Sequence, residues 1–295
     1  MMNYKQYLRL EGYSEASISR FNKRTEHFII WCKQESLKPN KVVYKDLIKL
    51  VKDYKKRGLK DSTVNLEING ISKYFEYLIA CEKRKDNPIK SLKIKTPSRR
   101  QLYEVLTELE LEDLYHSFEI KGQDEYIRAT AFRNKVIVGL LVFQGLNNAG
   151  LEALELAHLK LNKGKIYIPS TTRTKARNLE LKSIQIVDLL HYEREITPIL
   201  HRRVKVNHHK LFPVGHKTKF TSITGVIIKK LKSYNRKVEN INQIRASVIT
   251  NWLKNNNIRR VQFLAGHKRI MSTEFYKKDH IEKLQNMINK FHPLG

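Results

Sequence analysis

The sequence predicts a mainly α-helical protein that carries a small β-hairpin and folds as two domains. Over most of the chain, apolar residues recur three and four positions apart, which is the spacing of helices that bury one face. Residues 165–169 and 178–181 instead alternate apolar and polar residues, as half-buried strands do. A basic stretch around Pro97 has no apolar face, so residues 93–106 are predicted to link a helical domain at 1–92 to a second domain at 107–295.

The first domain is predicted to be a small helical bundle. Ser14 is suited to cap a helix near its start, and Gly58 is suited to end the next one. Asp61 or Ser62 is expected to cap a third helix, and Pro88 stops the helical pattern. Amphipathic helices joined by such short loops pack against one another as a bundle.

The second domain is predicted to begin with helices and then to turn to strands. Thr107 and Glu110 have the spacing of a capping box, and residues 133–144 are apolar enough for a core helix. The alternating segments 165–169 and 178–181 flank a basic turn and predict a β-hairpin. The helical pattern resumes after the hairpin.

Positive charge dominates the sequence. Its 57 Lys and Arg residues against 29 Asp and Glu residues give a net charge of +28 and a pI near 10.0. The net charge is +13 over residues 1–100 and +15 over residues 101–295. Within the second half the charge is uneven: residues 101–120 carry −6 and residues 201–270 carry +16. Like charges repel one another in a compact fold, so this excess indicates a polyanionic partner. Two basic domains suit a clamp around duplex DNA; an anionic membrane or the ribosome is the alternative.

The cysteines and the hydropathy pattern point to a cytoplasmic protein. Cys32 and Cys81 lie among apolar residues of helical segments, which favours buried free thiols over a disulfide or a redox pair. The first residues contain no apolar leader, and no apolar run approaches the length of a membrane span. We therefore expect no membrane partner and a nucleoid-associated location.

A resemblance to a known family appears in residues 242–276. Arg245, Gly266, His267 and Tyr276 stand at the spacing of the carboxy-terminal signature of the tyrosine recombinases, the phage-integrase family, where the tyrosine follows the Leu-Gly-His histidine by nine positions. The helical pattern of the first domain also resembles that family's core-binding domain. The resemblance therefore covers nearly the whole chain.

The resemblance implies a fold, an activity and an assembly. The fold would combine an N-terminal core-binding (SAM-like) bundle with a C-terminal α+β catalytic domain. As a site-specific recombinase or integrase, the protein would attack DNA with Tyr276, forming a covalent 3′-phosphotyrosine and releasing a 5′-hydroxyl. Arg245 would offer two parallel donors to the phosphoryl oxygens and His267 one more. The protein would be a monomer in solution and a homotetramer on paired DNA sites, and a partner recombinase is possible.

No cofactor or metal is expected. A phosphotyrosine keeps the energy of the broken phosphodiester bond, so religation needs no further energy source. The sequence also contains no group of Asp, Glu, His and Cys residues with the spacing of a metal site.

Two segments depart from the family pattern, at three positions. The turn expected to read Gly-Leu-Arg-x-x-Glu-Leu has Asn147 in place of the arginine and Gly150 in place of the glutamate. Asn242 replaces the histidine expected three positions before Arg245. Each asparagine can still hold a phosphate oxygen, but neither brings a charge, and an amide does not transfer a proton. Loss of one such stabilising group typically lowers a rate by about 10²–10³.

The hairpin lysine, which is a general acid in the family, is displaced as well. Thr171 or Thr172 falls at its position, and Lys175 is the nearest candidate for its role. Arg173 or Arg177 is a candidate for the missing charge. The alternative is that these three basic residues only line the DNA backbone.

Further candidates for DNA contact are basic residues of the linker, the hairpin turn and the region from 201 to 270. They are Arg99, Arg100, Arg173, Arg177, Lys217 and Lys219. Bases could be read by residues 62–79 or 216–237. An apolar stripe in residues 282–295 either docks on a neighbouring protomer, as the resemblance implies, or packs on its own domain.

Three hypotheses about function remain. The first is an active strand-exchange enzyme with a rearranged site. The second is a weakened or inactive recombinase-like protein that binds DNA as an accessory factor. The first is favoured because Tyr276, His267 and Arg245 stay in register, and a pure DNA binder would have no obvious need of that trio. The third is a generic basic DNA or RNA binder without this fold.

Overall fold

A computed structural model describes residues 2–95, 104–204, 209–215 and 218–277. The chain folds as two compact units, Met1–Gln101 and Leu102–Gly295. The candidate DNA contacts Arg99, Arg100 and Lys217 lie outside the described residues, as do most of the predicted linker and the terminal stripe of residues 282–295. Among the described residues, no helix has both the length and the apolar character needed to cross a bilayer.

The first unit is helical, as predicted. Its helices are α1 Tyr4–Leu10, α2 Glu15–Gln34, α3 Tyr44–Lys56 and α4 Asp61–Ala80. The Ser14 side chain caps α2 by accepting a hydrogen bond from the backbone N–H of Ser17, and Gly58, just after α3, has a left-handed φ of 76°. The predicted cap of α4 is wrong, because Asp61 is already helical and Lys60 occupies the cap position without a side-chain bond.

The core of the first unit lies between α2 and α4. Aromatic side chains dominate it, with Phe28 and Phe75 in edge contact at a centroid distance of 5.6 Å. Cys32 is fully buried here, and burial raises the pKa of its thiol to about 12. Cys81 is only half-buried at the end of α4, and both cysteines are free. The prediction of buried free thiols is therefore confirmed for Cys32 and partly confirmed for Cys81.

The second unit combines helices with one small sheet. Its helices are α5 Glu108–His116, α6 Glu125–Val142, α7 Asn148–Glu152, α8 Ser183–His191, α9 Thr197–Val204, α10 Phe220–Tyr234, α11 Ile241–Asn255 and α12 Ile258–Ala265. A π-helical turn, Tyr192–Ile196, joins α8 to α9, and residues 271–277 are helical. The capping box of Thr107 and Glu110 opens α5 as predicted. Helix α6 is the central one, because its last seven residues are all buried.

The sheet is antiparallel and three-stranded, with the order β1-β2-β3. The strands are β1 Leu159–Lys160, β2 Lys165–Ile168 and β3 Arg177–Glu180. The hairpin of β2 and β3 confirms the prediction, with Ile168 opposite Arg177 and Lys165 opposite Glu180. Strand β1 was not predicted, since two residues are too few to show alternation. The fold is thus mainly α with a small sheet, as the sequence predicts.

Candidate active site

Helix α11 carries the first residue of the site and is firmly held at its start. The Asn240 side chain caps the helix by accepting a hydrogen bond from the N–H of Gln243 at 3.0 Å. The Gln243 side chain donates to the carbonyls of Glu104 and Lys237. Arg245 lies one turn after the start of this anchored segment, so its backbone position is fixed before any ligand binds.

The Arg245 guanidinium is buried and held by the ends of two other segments. One terminal nitrogen, Nη1, donates to the carbonyl of Gly145. The other, Nη2, donates to the carbonyl of Ala265 at 2.8 Å and contacts Nε2 of His267 at 3.1 Å. Burial lowers the pKa of Arg245, and a hydrogen bond and charge interaction with Tyr276 act in the opposite direction. No carboxylate among the described residues pairs with this cation.

His267 has a defined proton position. An arginine can only donate, so Nε2 of His267 must accept the bond from Arg245. The ring proton therefore lies on Nδ1 and is donated to the Thr273 hydroxyl at 2.9 Å. Burial and the positive charges of Arg245 and Arg177 lower the pKa of His267 to about 4. The ring is accordingly neutral near pH 7.

Arg177 forms a second buried cation beside Arg245. Its Nε donates to the carbonyl of Leu264 at 2.7 Å, and its Nη1 donates to that of Lys175 at 3.2 Å. Burial, with a smaller contribution from Arg245, lowers its pKa to about 10. Buried like charges are unfavourable unless something compensates them. Since no described carboxylate pairs with either arginine, an anion is the natural compensating group.

Gly266 makes this close packing possible. It ends α12 with a left-handed φ of 70°. The place of a Cβ at this position is already taken by the Arg177 guanidinium. Glycine is therefore required here both for its backbone conformation and for space.

Tyr276 completes the cluster from helical residues 271–277. Its ring stacks on that of His267, at a centroid distance of 5.9 Å and an interplanar angle of 6°. The tyrosine is half-buried and packs against a small cluster formed by Ile249, Val261 and Ala265. Tyr276, His267 and Arg245, which lie on three separate segments of the chain, are thus brought together.

The two asparagines that depart from the family pattern share one cavity. It has a volume of about 320 Å³ and is lined by Asn147, Asn148, Ala149, Thr171, Thr172, Arg173, Ile241 and Asn242. The Asn147 side chain caps α7, its oxygen accepting a hydrogen bond from the N–H of Gly150 at 2.9 Å. Asn242 and Arg245 are three residues apart on α11, and such residues share a helix face. The cavity therefore lies on the side of α11 that also carries Arg245.

The hairpin turn reaches the site through its backbone. Thr174 pairs with His267 as an isolated bridge, and the N–H of Lys175 donates to the carbonyl of Gly266 at 2.8 Å. The side chains of Lys175 and Arg173 are exposed. Lys219 is also exposed, at the cap position of α10. The three predicted hairpin residues therefore differ, since Arg177 is buried and the other two face solvent.

Thr273 is a site residue that sequence reasoning missed. It is fully buried, and its hydroxyl accepts the proton that fixes the tautomer of His267. A threonine one turn before the candidate tyrosine was a weak signal, since helices often carry such residues. Among the described residues, no group of three His, Cys, Asp or Glu side chains could hold a metal ion.

Comparison with known proteins gives matches over the first unit and over the whole chain. Residues 1–82 match the phage integrase N-terminal SAM-like domain. The tyrosine recombinase XerD of Oceanobacillus iheyensis is 25% identical, over 97% of this chain and 96% of that protein.

Two solved structures share the fold. The XerH site-specific recombinase bound to a palindromic difH substrate, a post-cleavage complex, has a TM-score of 0.67 at 17% identity and covers 97% of this chain and 84% of its own. A lambda integrase dimer bound to a COC′ core site has a TM-score of 0.62 at 16% identity and covers 94% and 93%. The SAM-like match covers most of the first unit, and the likeness to XerD spans both units, so the chain is similar to tyrosine recombinases over nearly its whole length.

Proposed function

We propose that this protein is a site-specific DNA recombinase that cleaves and rejoins strands through a covalent 3′-phosphotyrosine at Tyr276. The main support is that Tyr276 and His267 lie next to Arg245, with the second buried arginine, Arg177, beside them. Neither arginine pairs with a carboxylate among the described residues. Such a cluster suits a nucleophile and a bound phosphate. The similar XerH and lambda integrase structures were both determined with DNA bound.

The reaction is written so that both protons are accounted for. The Tyr276 oxygen attacks phosphorus and releases its proton to solvent water, while the bond from phosphorus to the 5′ oxygen breaks and that oxygen takes a proton from the Lys175 ammonium. Three of the five N–H groups of Arg245 are bonded to Gly145, Ala265 and His267, so Arg245 donates through an N–H on Nε or Nη1 outside these bonds to a nonbridging oxygen, on which negative charge grows in the transition state. Attack by a 5′-hydroxyl on the phosphotyrosine reverses the step and rejoins a strand.

His267 takes part as a neutral hydrogen-bonding group. In the observed tautomer its Nε2 accepts from Arg245. To donate from Nε2 to a phosphoryl oxygen, the ring must move its proton from Nδ1. The Thr273 hydroxyl then donates to Nδ1 instead of accepting from it, as a hydroxyl can do either. We propose that Thr273 supports both tautomers.

Lys175 and Asn242 complete the proposed site. The exposed Lys175 ammonium, on a turn whose backbone is bonded to Gly266, is our candidate to protonate the leaving 5′ oxygen. Asn242 is exposed on the cavity next to Arg245 and can hold a phosphate oxygen through its amide.

We further propose how the protein holds DNA. Residues 1–92 would act as a clamp domain, joined to the catalytic domain 107–295 by the basic linker 93–106. Phosphate contacts would come from the basic residues Arg173, Lys219, Arg99, Arg100 and Lys217. Because Arg177 is buried on main-chain carbonyls, its contribution would be a fixed positive charge at the site. We also propose that the protein assembles as a homotetramer on paired DNA sites and is associated with the nucleoid. A partner recombinase could join that assembly.

A covalent-adduct assay tests the function. The protein is incubated with a duplex nicked near the scissile phosphate, so that a short released fragment diffuses away and the adduct accumulates. We expect a covalent protein–DNA band in a denaturing gel with wild type and none with Tyr276→Phe. An adduct in Tyr276→Phe would refute the nucleophile assignment. Specific DNA binding with no adduct in wild type would instead support the accessory-protein hypothesis.

A further inference from the structure

The cavity lined by Asn147 and Asn242 has a single charged residue in its wall. Of its lining residues, only Arg173 is ionic, and the others are amides, hydroxyls and apolar groups. Asn147 uses its side-chain oxygen to cap α7, so the amide N–H₂ is the part left for a ligand. The Asn148 Oδ1 is buried without a hydrogen-bond partner among the described residues. The cavity is therefore rich in neutral polar groups and has one source of positive charge.

The backbone of the turn that carries Arg173 is held by hydrogen bonds, whereas the Arg173 guanidinium forms none with another described side chain. The N–H of Thr171 donates to the Thr174 carbonyl at 2.9 Å, and the two hydroxyls are 2.8 Å apart. Lys268 donates to the carbonyl of Thr172 at 2.9 Å. The Arg173 side chain is exposed and forms no hydrogen bond or ion pair with another described side chain. A fixed backbone with an unengaged guanidinium suits capture of an anion.

Arg177, the other candidate for the missing charge, is already engaged. Its guanidinium donates to the carbonyls of Leu264 and Lys175 and packs over Gly266. Reaching the cavity would break both bonds. Arg177 therefore contributes a fixed positive charge near the site. Arg173 is the hairpin arginine that lines the cavity.

We infer that Arg173 is a catalytic residue that enters this cavity and donates to a nonbridging oxygen of the scissile phosphate, with Arg245 as the second cation. The inference rests on the proposed function. The charge absent at Asn147 is thereby delivered from the hairpin turn, and the amides of Asn147 and Asn242 serve as neutral donors. The positive charge of the site is preserved, but it comes from another element of the fold.

Single-turnover cleavage of the nicked duplex tests this role. Arg173→Ala is compared with wild type and with Arg194→Ala, which removes one exposed arginine from the π-helical turn. We expect the rate of adduct formation at saturating protein to fall by about 10²–10³ in Arg173→Ala and to stay unchanged in Arg194→Ala. DNA affinity should change far less than the rate, because one phosphate contact among many is lost.

A charge transplant provides the second measurement. Asn147→Arg in the Arg173→Ala background places a guanidinium on the same cavity, and it should restore part of the lost rate. Melting curves of the single and double variants control for the lost cap of α7. Equal rates in the two alanine variants, or no recovery in a folded double variant, would overturn the inference. A wild type that forms no adduct would instead refute the proposed function.

Discussion

His267 lies parallel to Tyr276, with ring centroids 5.9 Å apart and planes 6° from parallel. The same histidine accepts a hydrogen bond from Arg245 and donates one to Thr273. The two bonds that hold the His267 ring therefore also place the surface on which Tyr276 stacks, so substitutions at Thr273 or His267 should affect the tyrosine as well.

Thr273→Val should weaken both the fold and the reaction. The substitution leaves the Nδ1–H of His267 buried without an acceptor, which typically costs about 1–3 kcal/mol. Urea denaturation should show that loss, and the cleavage rate should fall. Thr273→Ser keeps the hydroxyl and is the matched control, with stability and rate close to wild type. A fully active Thr273→Val would show that the hydroxyl does not position the ring.

Stability should depend on pH through His267. Its pKa is lowered from 6.5 to about 4 in the folded protein, so the unfolded chain binds a proton more readily between these values. The contribution of this group is fully present above pH 6.5 and is lost as the pH falls toward 4. As the pH is lowered from 6.5 to 4, the melting temperature of His267→Gln should therefore fall less than that of wild type. Parallel curves for the two proteins would contradict the assignment.

Gly266→Ala and Gly225→Ala should act in opposite directions. Alanine at 266 meets a left-handed φ and the Arg177 guanidinium, so a destabilisation of about 1–3 kcal/mol is expected. Gly225 is exposed within α10 and an added Cβ meets nothing, so alanine there should stabilise the protein by about 0.4–1 kcal/mol. Thermal unfolding of both variants measures the contrast. Equal effects would mean that the close packing at Gly266 is not restrictive.

DNA affinity should fall steeply with salt. For duplex DNA, the logarithm of the association constant falls with that of the salt concentration by about 0.9 for each neutralised phosphate. Lys219→Ala, which removes an exposed cation at the start of α10, should reduce this slope by roughly one such contact. Fluorescence anisotropy at several salt concentrations would show it. A flat dependence in wild type would argue against a phosphate clamp.

Deleting residues 282–295 should weaken assembly on DNA more than binding by a single protomer. The apolar stripe of this segment is the candidate for docking on a neighbouring copy. Gel-shift titration separates the complexes formed by one protomer from those formed by several. Equal loss of both kinds of complex would favour packing of the stripe on its own domain.

Local signals in the sequence predicted the fold well where they were strong. Ser14 and Thr107 cap their helices, and the alternating segments form the β2–β3 hairpin. The misses were short or unmarked elements, such as the two-residue strand β1 and the cap at Lys60, where no side-chain bond marks the boundary.

The site was predictable in its members but not in its contacts. The spacing of Arg245, His267 and Tyr276 brought them to notice, and the structure places them together. Spacing could not reveal that Arg177 is buried or that Thr273 accepts the His267 proton, because both depend on long-range packing. Nor could it show that Asn147 and Asn242 line one cavity.

The hydrogen bonds of Arg245 also change what the presence of an arginine at this position says about function. By donating to the carbonyls of Gly145 and Ala265, the guanidinium ties the turn after α6 to the end of α12. A protein that had given up cleavage would still need this tie, so the presence of Arg245 alone does not distinguish an enzyme from a pure DNA binder. When relatives are compared, an arginine at this position is therefore expected whether or not the protein cleaves DNA.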